Sequence, residues 1–158
     1  MAASRPIRLA LLGTGLFVRD AHIPALTALR DQFEIVAIYT RDASSDSAAE
    51  AARLVPGEPA ITDDLEGLLA RDDIEAVDVV WPIQRLPEGV ERALNAGKHV
   101  LSEKPVAPSV AAGRRLLDVY AAHPGQVWMV AENWRYEAAY RRAAQMIAEG
   151  AIGRMLTV

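Results

Sequence analysis

Cysteine is absent from this 158-residue chain, which rules out disulfides, thiolate metal ligands and a thiol nucleophile and fits a reducing compartment. An excess of basic charge is absent too. Against 21 Asp and Glu stand 17 Lys and Arg, a net charge of −4, so the overall field draws in neither nucleic acid nor an anionic membrane surface. A phosphate-bearing ligand must therefore be held by a local set of donors. No apolar run approaches the roughly 20 residues of a membrane span. The N-terminal Met1-Ala-Ala-Ser-Arg-Pro6 has no apolar signal core, and the expected location is the cytoplasm. Internal repeats and low-complexity linkers are also lacking. With 51% hydrophobic and 24% charged residues, the composition is that of an ordinary globular domain with a real core.

What the chain does contain is an alternation of apolar strand candidates and helical stretches. Strands are expected over residues 7–12, 34–39, 60–61, 76–81, 99–102 and 127–130. Helices are expected over 16–29, 43–54, 65–70, 86–95 and 110–122, with Pro24 kinking or splitting the first. Asp63-Asp64 supplies an N-cap for the third helix, and Gly97 stops the fourth. Continuous apolar strands separated by helices imply parallel pairing with both sheet faces covered. Right-handed crossovers then give an α/β, doubly wound Rossmann sheet of order 3-2-1-4-5-6. Beyond it, residues 136–149 read as a helix and 155–158 as a strand beginning where the sequence stops. The expected division is residues 1–124 as the Rossmann core and 125–158 as its last strand, a linking helix and the first strand of a truncated α+β domain.

Two sites carry chemistry on residue type and position alone. The segment Gly13-Thr14-Gly15-Leu16-Phe17 lies at the first strand-to-helix turn. Glycines there let the backbone approach a phosphate, and the helix N-terminus offers unpaired N–H groups and a positive dipole end. Val18 stands where the third glycine of Gly-x-Gly-x-x-Gly is usual. The second site, Thr40-Arg41-Asp42, ends the second strand. An Asp or Glu there binds the ribose 2′-hydroxyl of NAD, whereas a hydroxyl plus a guanidinium suits a 2′-phosphate. NADP is thus favoured over NAD. A blander reading makes Arg41 a solvated loop charge and Asp42 a helix N-cap.

Five further stretches complete a pattern: His22-Ile-Pro-Ala-Leu26, Ala96-Gly-Lys-His-Val100, Glu103-Lys104-Pro105, Ala131-Glu-Asn133-Trp134-Arg135 and Glu149-Gly-Ala-Ile-Gly153, beside Gly13-Thr14-Gly15. With these the chain resembles the Gfo/Idh/MocA family of sugar and inositol oxidoreductases over nearly its whole length. The resemblance implies that Lys104 is catalytic, beside the nicotinamide and the substrate hydroxyl. It places Glu103 near the nicotinamide ribose and makes the Lys104–Pro105 peptide cis. Such an ammonium can bind a substrate oxygen and ease proton movement as hydride leaves carbon. It further implies that Trp81, Pro82 and Gln84 line the crevice beside the pyrophosphate, and that Asn133 and Trp134 contribute to the nicotinamide pocket. The substrate would be a small molecule, the full-length protein a homo-oligomer, and no metal is called for.

The family's second domain carries an acid/base His, or Tyr, in an Asp-x-x-x-His segment that nothing here supplies. Asp118 and His123 have the wrong spacing, with His123 placed as a helix C-terminal cap; His22 and His99 read as structural. A non-catalytic NADP-binding sensor or regulator of the same fold is therefore the alternative to an oxidoreductase. A methyltransferase using S-adenosylmethionine fits poorly, since it wants an acidic residue where Thr40-Arg41 stand.

Overall fold

The computed structural model describes residues 5–154, 156 and 157. Six parallel strands form one sheet: β1 Ile7–Leu12, β2 Phe33–Tyr39, β3 Ala60–Thr62, β4 Ala76–Val79, β5 His99–Ser102 and β6 Trp128–Val130. Their spatial order is β3-β2-β1-β4-β5-β6, the Rossmann order expected from the sequence. The reversal of direction falls between β1 and β4.

Alternation along β1 divides the core between two faces. Leu9 and Leu11 face one layer with Ile35, Ile38, Ala51 and Val55. Ala10 and Leu12 face the other with Val77, Val79 and Leu65. Leu9 pairs with Ile35 but Ala10 with Ala37, so β2 accommodates one extra residue, Val36. The helices are α1 Ile23–Ala28, α2 Asp46–Leu54, α3 Leu65–Leu69, α4 Leu86–Asn95, α5 Val110–Ala121 and α6 Ala138–Ala148. In α4 the buried Leu86, Val90, Ala93 and Leu94 recur at i, i+4, i+7 and i+8, one apolar stripe against the sheet. Gly97, at φ 78°, ends that helix. Its N–H donates to Leu94 O at 2.9 Å and the Lys98 N–H to Ala93 O at 3.0 Å, which satisfies carbonyls the helix leaves open.

Several boundaries differ from expectation for identifiable reasons. The helix expected over 16–29 runs over 16–28, with its middle widened into a π-helical turn, Val18–His22, that leads into the short α1. Pro24 lacks an N–H and its ring crowds the carbonyl four residues back. The Ile23 N–H reaches Val18 O, an i to i−5 bond that widens the turn. Helix α2 begins at Asp46, not at 43, because Ser45 is the N-cap and accepts from the Ala48 N–H. Asp42 bonds the N–H and hydroxyl of Ser44 instead. Strand β4 stops at Val79, short of Trp81, and α6 is preceded by a 3-10 turn, Asn133–Tyr136. The strand expected over 155–158 lies partly outside the described residues, and 156–157 belong to no regular element.

Candidate functional site

At the carboxyl ends of β1, β2 and β4 the sheet opens into a cleft of about 570 Å³, within the roughly 300–1,000 Å³ usual for small-molecule sites. Its floor is the turn after β1. The Gly13 N–H donates to Tyr39 O at 2.9 Å. A Cβ at Gly13 would lie 2.9 Å from Val80 O, and its φ of 134° is one that side chains disfavour. Gly13 is therefore fixed as glycine by the close approach of β2 and β4. Gly15 differs, having nothing within 4 Å of where its Cβ would stand. That open cradle, floored by backbone, is the space a phosphate requires, so the residues present fit a dinucleotide.

The β2 side of the cleft is rich in hydroxyls. Thr14, only 6% exposed, has its Oγ1 3.3 Å from Thr40 Oγ1 and 3.1 Å from Ser47 Oγ. Ser45 Oγ lies 3.2 Å from Ser47 Oγ, and the exposed Arg41 lines the cleft beside them. Opposite, Trp81 and Pro82 form the β4 wall. The Trp81 ring stands 5.8 Å from that of Tyr39, with the Arg85 guanidinium 5.0 Å from its centre. Trp81 backs onto α4 at Gly89, where a Cβ would come within 2.9 Å of Trp81 Cε3 and Val79 Cγ1. Leu16 completes the lining of the turn.

Lys104 and Glu103 follow β5, the strand beside β4, at the same carboxyl edge but outside the lining of this cleft. Lys104 is exposed, and the Lys104–Pro105 peptide is cis. Glu103 is held from three directions. Its N–H donates to Val79 O at 3.1 Å, its Oε2 accepts the Lys104 N–H at 3.1 Å, and its Oε1 lies 3.1 Å from His22 Nε2. His22 Nδ1 in turn donates to Asp78 Oδ2 at 2.6 Å, and Asp78 is fully buried in β4. Burial alone would lower the His22 pKa. The hydrogen bonds and charges of Asp78 and Glu103 outweigh it, so the imidazole is held above its ordinary 6.5. Burial pushes the Asp78 carboxyl up, and His22 opposes that shift.

A family described as "Oxidoreductase family, NAD-binding Rossmann fold", the Gfo/Idh/MocA group, has a model that matches residues 7–131. The chain belongs to the Gfo/Idh/MocA oxidoreductase family. It is 36% identical over 150 residues to the dehydrogenase FPY6 of Fusarium mangiferae, covering 90% of this chain and 43% of that one. An oxidoreductase from Thermotoga maritima superposes with a TM-score of 0.88 at 36% identity, over 94% of this chain and 45% of the other. A 3-ketoreductase from Actinomadura kijaniata in complex with NADP gives 0.80 at 34% identity, over 94% and 46%. The chain thus spans a little under half the length of these relatives.

For a Gfo/Idh/MocA chain, the structure brings Gly13, Thr14, Gly15, Leu16, Thr40, Arg41, Trp81 and Pro82 to one cleft. Besides Glu103 and Lys104 at the neighbouring edge, it keeps four other candidates out of the lining. Phe17 packs its ring 5.3 Å from that of His22. Gln84 is exposed in the turn before α4. Asn133 and Trp134 lie in the 3-10 turn after β6, Trp134 against Tyr140 at 5.9 Å. His99 and His123 are structural as expected. The first accepts the Val127 N–H at 2.9 Å, and the second pairs with Val119 O at 2.8 Å. Sequence reasoning missed Arg19, Ser45, Ser47 and Arg85, which line the cleft. It missed Asp78 as well, although a carboxylate inside an apolar strand signals a buried partner, since an unpaired one is costly.

Proposed function

We propose that this chain is the NADP-binding domain of an oxidoreductase that moves hydride between the nicotinamide and a secondary alcohol or carbonyl of a sugar, cyclitol or related compound. The observation that carries it is the common cleft, lined by the open cradle at Gly15, the hydroxyls of Thr14, Thr40, Ser45 and Ser47, and Arg41. Gly13–Gly15 would hold the pyrophosphate, and Thr40 with Arg41 the 2′-phosphate. The NADP carried by the 3-ketoreductase from Actinomadura kijaniata supports the same cofactor here. When bound, that cofactor supplies or accepts the hydride. Lys104, at the adjoining strand end, would bind the substrate oxygen, and Asn133 and Trp134 would border the nicotinamide end. The acid/base group would come from a second domain. Residues after β6 would connect to that domain, since α6 buries no residue of its own in the Rossmann layers.

Fluorescence titration with NADPH and NADH tests the cofactor. NADPH binds more tightly to the wild-type chain, and Arg41→Ala weakens NADPH by about 1.5–3 kcal/mol, the loss of one charged hydrogen bond, while NADH changes little. Equal affinities, unchanged by Arg41→Ala, would remove NADP from the proposal.

A further inference from the structure

Within β4 the sequence Ala76–Val79 places an aspartate where its neighbours are apolar. A buried carboxylate persists only with good partners, and Asp78 has one at 2.6 Å, His22. That histidine sits at the end of the π-helical turn, a geometry that recurs at functional sites. Its second nitrogen faces Glu103, whose other oxygen holds the backbone N–H of Lys104. We propose that His22 is a positioning residue: anchored by Asp78, it fixes the Glu103 carboxylate and, through it, the backbone of Lys104 at the end of β5. The proposal rests on the reading of Lys104 as the substrate-facing cation.

The chemistry of the ring makes the clamp conditional. Both imidazole nitrogens face carboxylates, and both can donate only when the ring is protonated. A neutral ring keeps its single N–H on the shorter, fully buried bond to Asp78 and turns a lone pair toward Glu103. The Glu103 contact is then lost first. Among the described residues, the charged groups reaching the ring are Asp78 from β4 and Glu103 from the end of β5. On its own turn Arg19 is engaged by Glu50 of α2, and Asp20 is exposed. Lowering pH therefore tightens the arrangement around Lys104, and raising it loosens it.

Two substitutions separate positioning from plain support of the buried aspartate. His22→Asn retains a donor where Nδ1 stood, toward Asp78, but nothing that reaches Glu103. Glu103→Gln retains the shape and removes one charge. The probes are the Lys104 backbone amide shift and the His22 ring nitrogens, followed by NMR from pH 6 to 9.5, with NADPH titrations at each pH. In the wild type the Lys104 amide titrates together with the His22 ring. Glu103→Gln lowers the ring's pKa, since it removes the charge facing Nε2. His22→Asn holds the amide at its high-pH position throughout, and the decline in NADPH affinity with pH, about tenfold in the wild type for one charge-assisted contact, flattens. A Lys104 amide that ignores both pH and Glu103→Gln overturns the proposal, whatever happens to stability. Should His22→Asn not fold, the wild-type titration and Glu103→Gln still decide it. If the amide titrates with His22 but NADPH does not bind at any pH, the clamp stands and the NADP-dependent function falls.

Discussion

Two single residues carry most of what can be measured here. Arg41 is the residue on which the proposed preference for NADPH rests, and its place with Thr40 in the cleft was legible from the end of β2 alone. His22 was not. Its partners lie 56 and 81 residues away, so no local pattern marks them. Because its folded pKa is raised above 6.5, the stability it contributes is fully present below that value and is lost as pH rises through the folded one. Thermal denaturation from pH 6 to 9 should show the wild type converging on His22→Gln at the alkaline end. A gap between the two that is constant over that range would remove protonation from the account. Thr14, Ser45 and Ser47 form a cluster that sequence reading only half foresaw, since Ser45 was masked by Asp42 as the apparent helix cap.

Elements announced themselves where periodicity and punctuation agreed. β1, α4 and β5 match expectation at both ends, because apolar runs there are bounded by Gly13, Gly97 and the turn after Ser102. The helix after Gly15 forms, but it meets Pro24 with a wider π-helical turn, because a proline inside a helical pattern can be absorbed that way as well as by a kink. Helix α4 repays a test of its own. Gly89→Ala sets a Cβ against Trp81 and Val79, an overpacking that costs about 1–3 kcal/mol in urea denaturation. Since Trp81 is the wall that moves, NADPH affinity should fall in the same variant. At the other end of α2's cap, Ser45→Ala should cost about 1 kcal/mol, read by the same denaturation.

For the whole molecule, the order of all six strands followed from alternation, the handedness of crossovers and the position of the glycine turn. What did not follow was how far the cleft extends, for it takes in the ends of β1, β2 and β4 but not the turn after β6. A ligand that binds only the folded chain stabilises it, by about 2.7 kcal/mol at a hundred times its Kd. Saturating NADPH should raise the melting temperature by about 5–10 °C, and NADH at the same concentration by much less. An equal rise with both would contradict the role given to Arg41. The strand order has one more consequence. β1 joins two half-sheets, β3-β2-β1 and β4-β5-β6, whose common boundary runs beneath the cleft. Cleaving the exposed loop at Asp72 would leave one half-sheet on each fragment. A dinucleotide lying across their junction would then work as a removable splint, so that reassembly of the two pieces becomes a titratable reporter of cofactor.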